Sequence, residues 1–334
     1  MFLPPSGRSL RGLPVAVATL GLLFICLLGG RAQAAPPPVP CCEVDTRQVG
    51  GADVWELVDQ SGQLSIDDVR QRDATWRNGG GDVPTKGYST AAHWFWFALD
   101  NSTQAAQDVV LEHCWPAMEY VDVHLVRSLD SGGDRDRPIQ GGTRRPFAER
   151  PFEYHHLAVP LRLAPGETID VYVRIQGSGP LQLPMRLHRQ DAFHQATPRS
   201  NLLWGAYFGF MLLIVFYNLV IYGARRALSH LYLARFSGAL AGLQATCSGH
   251  LHQHLLPASP WAATYAFPLL LNATVLTGIA FIVQFLDVRA HSPRFWRFFQ
   301  ICGGLLALNF VATPFAPLMA SIGIGNALVV PVCI

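Results

Sequence analysis

Between Glu43 and Asp191 apolar and polar positions alternate in short runs broken by turn residues, the pattern of a β-sandwich. His93–Leu99 reads HWFWFAL, with Trp94, Trp96 and Ala98 on one face and Phe95, Phe97 and Leu99 on the other. Both faces are apolar, which predicts a central strand covered on both sides. Val121, Val123 and Leu125 alternate with Asp122, His124 and Val126, and Ile169, Val171, Val173 and Ile175 alternate with Asp170, Tyr172 and Arg174. Those two runs predict strands with one buried and one wet face. Ala164-Pro165-Gly166-Glu167 is turn chemistry between two runs. Ser65, followed by Asp67 and Asp68, predicts a short helix capped by Ser65. Ser131 to Asp136 reads as a polar loop tip.

At Asn201 the pattern changes. Asn201–Gly223 contains no Asp, Glu, Lys or Arg and is long enough to cross a ~30 Å hydrocarbon core as a helix. Counting onward, apolar segments fall at about 202–223, 231–249, 265–286, 298–313 and 315–334, which predicts five spans in a region 200–334. Phe236–Leu286 and Phe298–Ile334 carry no charged residue, whereas Arg225, Arg226, Arg289, Arg294 and Arg297 occupy two of the connections. The connection at 250–264 has no Lys or Arg. Arginine on alternate connections places 224–230 and 287–297 in the cytoplasm. Buried helices of a soluble protein would not supply so many long charge-free runs.

The amino-terminal end agrees with that orientation. Arg8 and Arg11 precede an apolar Leu13–Leu28 and an Ala32-Gln33-Ala34 cleavage pattern, so 1–34 is expected to be a signal peptide and 35–42 a Pro-rich linker. The exported domain then spans 43–195. Cys41, Cys42 and Cys114 would lie in an oxidising compartment, where three thiols leave the pairing open. Cys247, Cys302 and Cys333 sit in apolar runs, as small buried hydrophobes do. The 25 Lys+Arg and 23 Asp+Glu give +2 overall, with no basic stripe, and nucleic acid is not expected as a partner.

Five stretches then carry a family resemblance: HWFWFALDN (93–101), LEHCWPAMEYVDVHLV (111–126), RPFAERP (145–151), LAVPLRLAPGETIDVYVRIQ (157–176) and SGPLQLPMRLH (178–188). Together with WGAYFGFMLLIVFYNLVIY (204–222), they resemble the bacterial seven-transmembrane receptors with diverse intracellular signalling modules. The resemblance implies a jelly-roll-like domain similar to carbohydrate-binding modules, acting as a periplasmic sensor ahead of a helical membrane bundle. It also implies an inner-membrane location and a cytoplasmic output such as a histidine kinase or a diguanylate cyclase. The family has seven spans; five are counted here, and neither output module is expected within these 334 residues. A homodimer is compatible with this reading.

The chemistry is weighed against that background. The resemblance suggests Trp94, Trp96, Trp115 and Tyr120 as an aromatic sugar platform, although aromatics alternating in a strand also fill sandwich cores. Arg144, Arg145, Glu149 and Arg150 cluster charge beside Phe147 and Phe152; Arg145, Glu149 and Arg150 are the expected contacts to an acidic ligand, against a reading as local ion pairs on a solvated loop. His250, His252 and His254 alternate in the outward connection, and His155-His156 form a second pair. With no Cys, Asp or Glu nearby in that connection, no metal is expected, and no cofactor. No metalloprotease, nucleophile-elbow or phosphate-loop motif occurs, so an enzyme is not expected. Asn218, Gln244, Asn272 and Gln284 are expected to join helices by hydrogen bonds. The function expected is a receptor in the lipid bilayer for a periplasmic small molecule or carbohydrate. An adaptor whose β domain binds another periplasmic protein is the alternative, and a glycan-active enzyme is the weakest.

Overall fold

A computed structural model of the protein describes residues 37–71, 76–127 and 138–333, with side chains to residue 328. The expected signal peptide at 1–34 and the loop tip Ser131–Asp136 lie outside the described residues. The first strands in chain order are β1 (Val39–Pro40), β2 (Thr46–Val49), β3 (Trp55–Asp59), β4 (Arg77–Asn78), β5 (Thr85–Tyr88) and β6 (Ala92–Asp100). They are followed by β7 (Gln107–His113), β8 (Tyr120–Arg127), β9 (Ile139–Gly141), β10 (Leu157–Leu163), β11 (Thr168–Gln176), β12 (Pro180–Gln182) and β13 (Met185–Arg189).

Two main sheets form the β domain. One has the order β4-β3-β6-β11-β8-β9, and the other β10-β7-β13-β2. Every pairing is antiparallel except that of β1, which runs parallel to the end of β6 through Val39↔Leu99. The Pro-rich stretch therefore contributes a strand, and Val39 is buried in the core. Between the sheets, Phe95, Phe97, Leu99, Val121, Val123, Val171 and Val173 of one meet Leu111, Val159, Leu161, Met185 and Leu187 of the other. Alternation has this effect because successive side chains of a strand point to opposite faces.

β6 is covered on both sides, as its two apolar faces predict. Its outer face carries Trp94 and Trp96, packed with Trp55, Leu57, Trp76 and Tyr172 under a short helix α1 (Ile66–Arg70) and its Val69. Ser65 caps α1 reciprocally: its hydroxyl accepts from the Asp68 N–H, while the Asp68 carboxylate accepts from the Ser65 N–H. Gly166, at φ 69°, makes the turn between β10 and β11.

Strand β13 passes into helix α2 (Gln190–Arg225) with no intervening loop. At 36 residues α2 is about 54 Å long, well beyond a hydrocarbon core of ~30 Å. Its first turn docks on the β domain through Phe193, against Val110 and Ala158. Pro198, which cannot donate to the carbonyl four residues earlier, separates this docked turn from the apolar stretch. Most large apolar side chains of that stretch are exposed, as a lipid-facing helix requires.

Helices α3 (Leu228–Cys247), α4 (Pro260–Phe285), α5 (Val288–His291), α6 (Pro293–Ala312) and α7 (Leu318–Cys333) follow. Among the described residues, three helices are long and apolar enough to cross a membrane: α2, α4 and α6. α3 is 20 residues long but carries His230 and Arg235, and Leu318–Leu328 is a shorter apolar helix. Asn272 on α4 accepts from Asn309 on α6 at 3.3 Å, and Asn218 on α2 accepts from His230 on α3 at 3.0 Å. Two of the four expected polar joints therefore form between helices. Gln284 instead lines an open groove of about 340 Å³ with Tyr232, Trp296 and Gln300.

Candidate functional site

The seven residues singled out from the sequence divide into two groups. Trp94 and Trp96 belong to the outer aromatic layer of the larger sheet. Trp94 is 1% exposed, and its face is closed to a ligand. Trp96 is half-buried, stacks on Tyr172 with ring centroids 6.0 Å apart, and donates its indole N–H to Asp170 at 2.9 Å. Trp115, Tyr120, Arg145, Glu149 and Arg150 lie in or near the segments that meet the helices. Arg145 forms a 2.5 Å ion pair with Asp122 and lies over the Tyr120 ring. Glu149 is exposed, and Arg150 packs over Phe147 at 4.6 Å.

The β domain and the helices belong to one compact unit, and the contact between them is specific. Thr264 on α4 donates its hydroxyl to that of Thr143 at 3.1 Å, in a buried position. The Phe147 N–H donates to the Pro257 carbonyl at 3.1 Å, and Gln253 donates to the Glu153 carbonyl at 3.1 Å. Arg150 donates to His252 Nδ1 at 3.2 Å, while Phe147 meets the His252 ring edge-on. Gly249, at φ 81°, passes so close to the His155 carbonyl that a Cβ would collide with it. The connection between α3 and α4, including a π-helical turn at Leu251–Leu255, is thus keyed into the β domain.

Beside these contacts is a small cleft with room for about 30 Å³, lined by Trp115, Met118, Glu119 and Thr143 from the β domain. Thr264, Phe267, Leu318 and Ile322 from α4 and α7 form the opposing wall. That volume admits a water or two and is far below the ~300 Å³ of a small-molecule site. Glu119 is 7% exposed; its carboxylate accepts from Arg144 at 3.0 Å and from the Ser178 N–H at 2.5 Å.

Histidines form a second layer of the junction. His155 stacks on His250, ring centroids 4.5 Å apart, and His250 packs against Trp204 and Phe208 of α2. Burial, followed by the charges of His156 and His250, pushes His155 down to about 3. Burial, then His254, pushes His250 down to about 4, and burial, then Arg150, does the same to His252. These rings are therefore neutral near pH 7. On β7, Glu112 accepts from His156 Nδ1 at 2.6 Å and from His188 Nε2 at 2.7 Å. Burial alone would raise its pKa, but these two hydrogen bonds outweigh burial and hold the carboxyl below its usual range. Burial and the Glu112 charge push the Cys114 thiol up to about 12. Cys41 and Cys42 pair with each other, leaving Cys114 free.

The sequence shows the alternating His250, His252 and His254 and the His155-His156 pair but not their partners. Glu112 is on β7 and Cys114 follows directly after its last residue, two positions on, while β10 pairs with β7 from Leu157↔His113, which brings His156 beside Cys114. An E-x-C strand opposite a His-His pair was the available signal.

Residues 51–189 match the family described as 7TMR-DISM extracellular 2, and residues 200–334 match 7TM diverse intracellular signalling. No curated protein matches the chain.

Proposed function

The chain belongs to the 7TMR-DISM receptors, an extracellular sensor domain followed by a signalling membrane domain, and on that premise we propose a bacterial inner-membrane receptor for a small periplasmic ligand. Occupation of the β domain alters how it sits on the connection after α3 and on α4, and the helical region carries the shift inward. The listener is a cytoplasmic kinase or diguanylate cyclase. The ligand is a small polar molecule, with carbohydrate the first class to try because Trp115 and Glu119 pair an aromatic wall with a hydrogen-bonding carboxylate.

One observation carries this reading: the junction cleft has one wall from the β domain and the other from α4 and α7. A molecule that enters must widen it, so its binding favours an open arrangement over the closed one. Signalling by binding requires such a difference in affinity between two states. The test is a thermal-shift screen of the full chain in detergent with mono- and oligosaccharides, dicarboxylates and short peptides. Stabilisation by one class, lost in Trp115→Ala, is expected. Failure of every class at high concentration, together with stable capture of a periplasmic protein, would instead favour an adaptor.

A further inference from the structure

We propose that Glu112, Cys114 and His156 form an exchangeable site for a borderline divalent transition-metal ion such as zinc, at the junction of the β domain with the membrane helices. One ligand atom from each of the three lies within 4.8 Å of the others. A tetrahedral ion with bonds of about 2.0–2.3 Å spaces such atoms by about 3.3–3.5 Å, so closing on an ion needs only rotamer-scale movement. A carboxylate, a thiol and an imidazole together favour zinc or its neighbours and disfavour calcium and magnesium, which take oxygen ligands.

The set is held in place by groups outside it. His188 binds the second carboxylate oxygen of Glu112 at 2.7 Å and is itself held by the Thr46 hydroxyl at 3.0 Å. Hydrogen-bonded partners of this kind orient metal ligands and tune their affinity. Glu112 is buried, while Cys114 and His156 are half-buried, which leaves a side open for entry. Structural zinc sites close with four protein ligands, whereas three leave a coordination position for water. Binding releases one proton to solvent, that of the Cys114 thiol, while Glu112 binds as the carboxylate and His156 through a ring-nitrogen lone pair. The ion adds two positive charges and receives one negative charge each from thiolate and carboxylate, leaving the site neutral.

Position gives the site a purpose. His156 is adjacent to His155, which stacks on His250 of the connection after α3, and His188 packs against Phe193 in the first turn of α2. An ion drawn between Glu112, Cys114 and His156 would act where both routes into the helices begin.

The test is titration of the full chain in detergent with cobalt(II), with zinc as competitor. A thiolate-to-cobalt charge-transfer band is expected with the native protein. It should be abolished by zinc and by Cys114→Ser or His156→Ala, retained in His254→Ala, and need about 10–100-fold more cobalt in His188→Gln. Cys114→Ser is nearly isosteric, and an unchanged melting temperature without metal shows that it folds. Absence of the band in native protein, its persistence in Cys114→Ser, or cobalt binding without thiolate character would each overturn the proposal.

Discussion

Trp94 and Trp96 stand two positions apart on one strand face, yet their surroundings differ. Trp94 is sealed beneath Leu57 and its aromatic neighbours, whereas Trp96 keeps an accessible edge and a hydrogen bond to Asp170. Trp94→Ala is expected to cost about 3–5 kcal/mol through the cavity it opens, and Trp96→Ala less, because part of its ring already meets water. Equilibrium unfolding of the two variants checks this; equal losses would mean that Trp94 is not the deeper anchor. Both faces of β6 could be read from HWFWFAL because strand alternation is local. The junction could not, because Gly249 with His155, and Glu112 with His156, meet across long stretches of chain. Nothing in a period of two or of 3.6 records such meetings.

The same division holds for whole elements. Helix α2 was legible as apolar from Asn201, but its true start at Gln190 was not, since Phe193 is the one large apolar residue in 190–201. Tertiary docking of Phe193 extends the helix there. Among the later helices, the expected polar joints at Asn218 and Asn272 both find partners, and Asn309, which the sequence reading passed over, supplies one of them. Asn309 also donates to the Ser321 carbonyl at 3.1 Å, so it ties α6 to both α4 and α7. Asn309→Leu is expected to lower stability in detergent by about 0.6–1.7 kcal/mol, the range for interhelical hydrogen bonds in membranes. Thermal unfolding of the full chain measures it, and an unchanged midpoint would show that the joint contributes nothing.

At the scale of the molecule, α2 is the only covalent link between sensor and helices, but it is not the only mechanical one. The connection between α3 and α4 also grips the β domain, through rings that must stay neutral. His155, His250 and His252 are all held below the ordinary histidine value of 6.5, at about 3, about 4 and about 4. As the pH falls below 6.5, an undocked chain takes up protons that the docked rings refuse. Docking is therefore fully favoured above that value and weakens progressively as acidity rises towards the folded values. Glu112 adds to this at lower pH: its folded carboxyl is depressed, so its stabilisation is present above its ordinary pKa and lost on acidification through the folded value. Limited proteolysis of the full chain between about pH 8 and about pH 5 should show increasing cleavage near residues 249–259, whereas a flat profile would contradict the neutral-ring account.

The central claim is that the β domain holds the connection after α3 directly and can move it. Gly249→Ala tests it most directly, because a methyl group there meets the His155 carbonyl and the φ of 81° disfavours any side chain. The left-handed backbone alone costs about 1–2 kcal/mol. Hydrogen exchange on the native chain and the variant in lipid nanodiscs should show protection lost together at 143–156 in the β domain and 249–259 beside the helices, with β6 and β11 unchanged. Loss confined to the residues around 249, with 143–156 as protected as before, would contradict direct docking and leave α2 as the sole path inward.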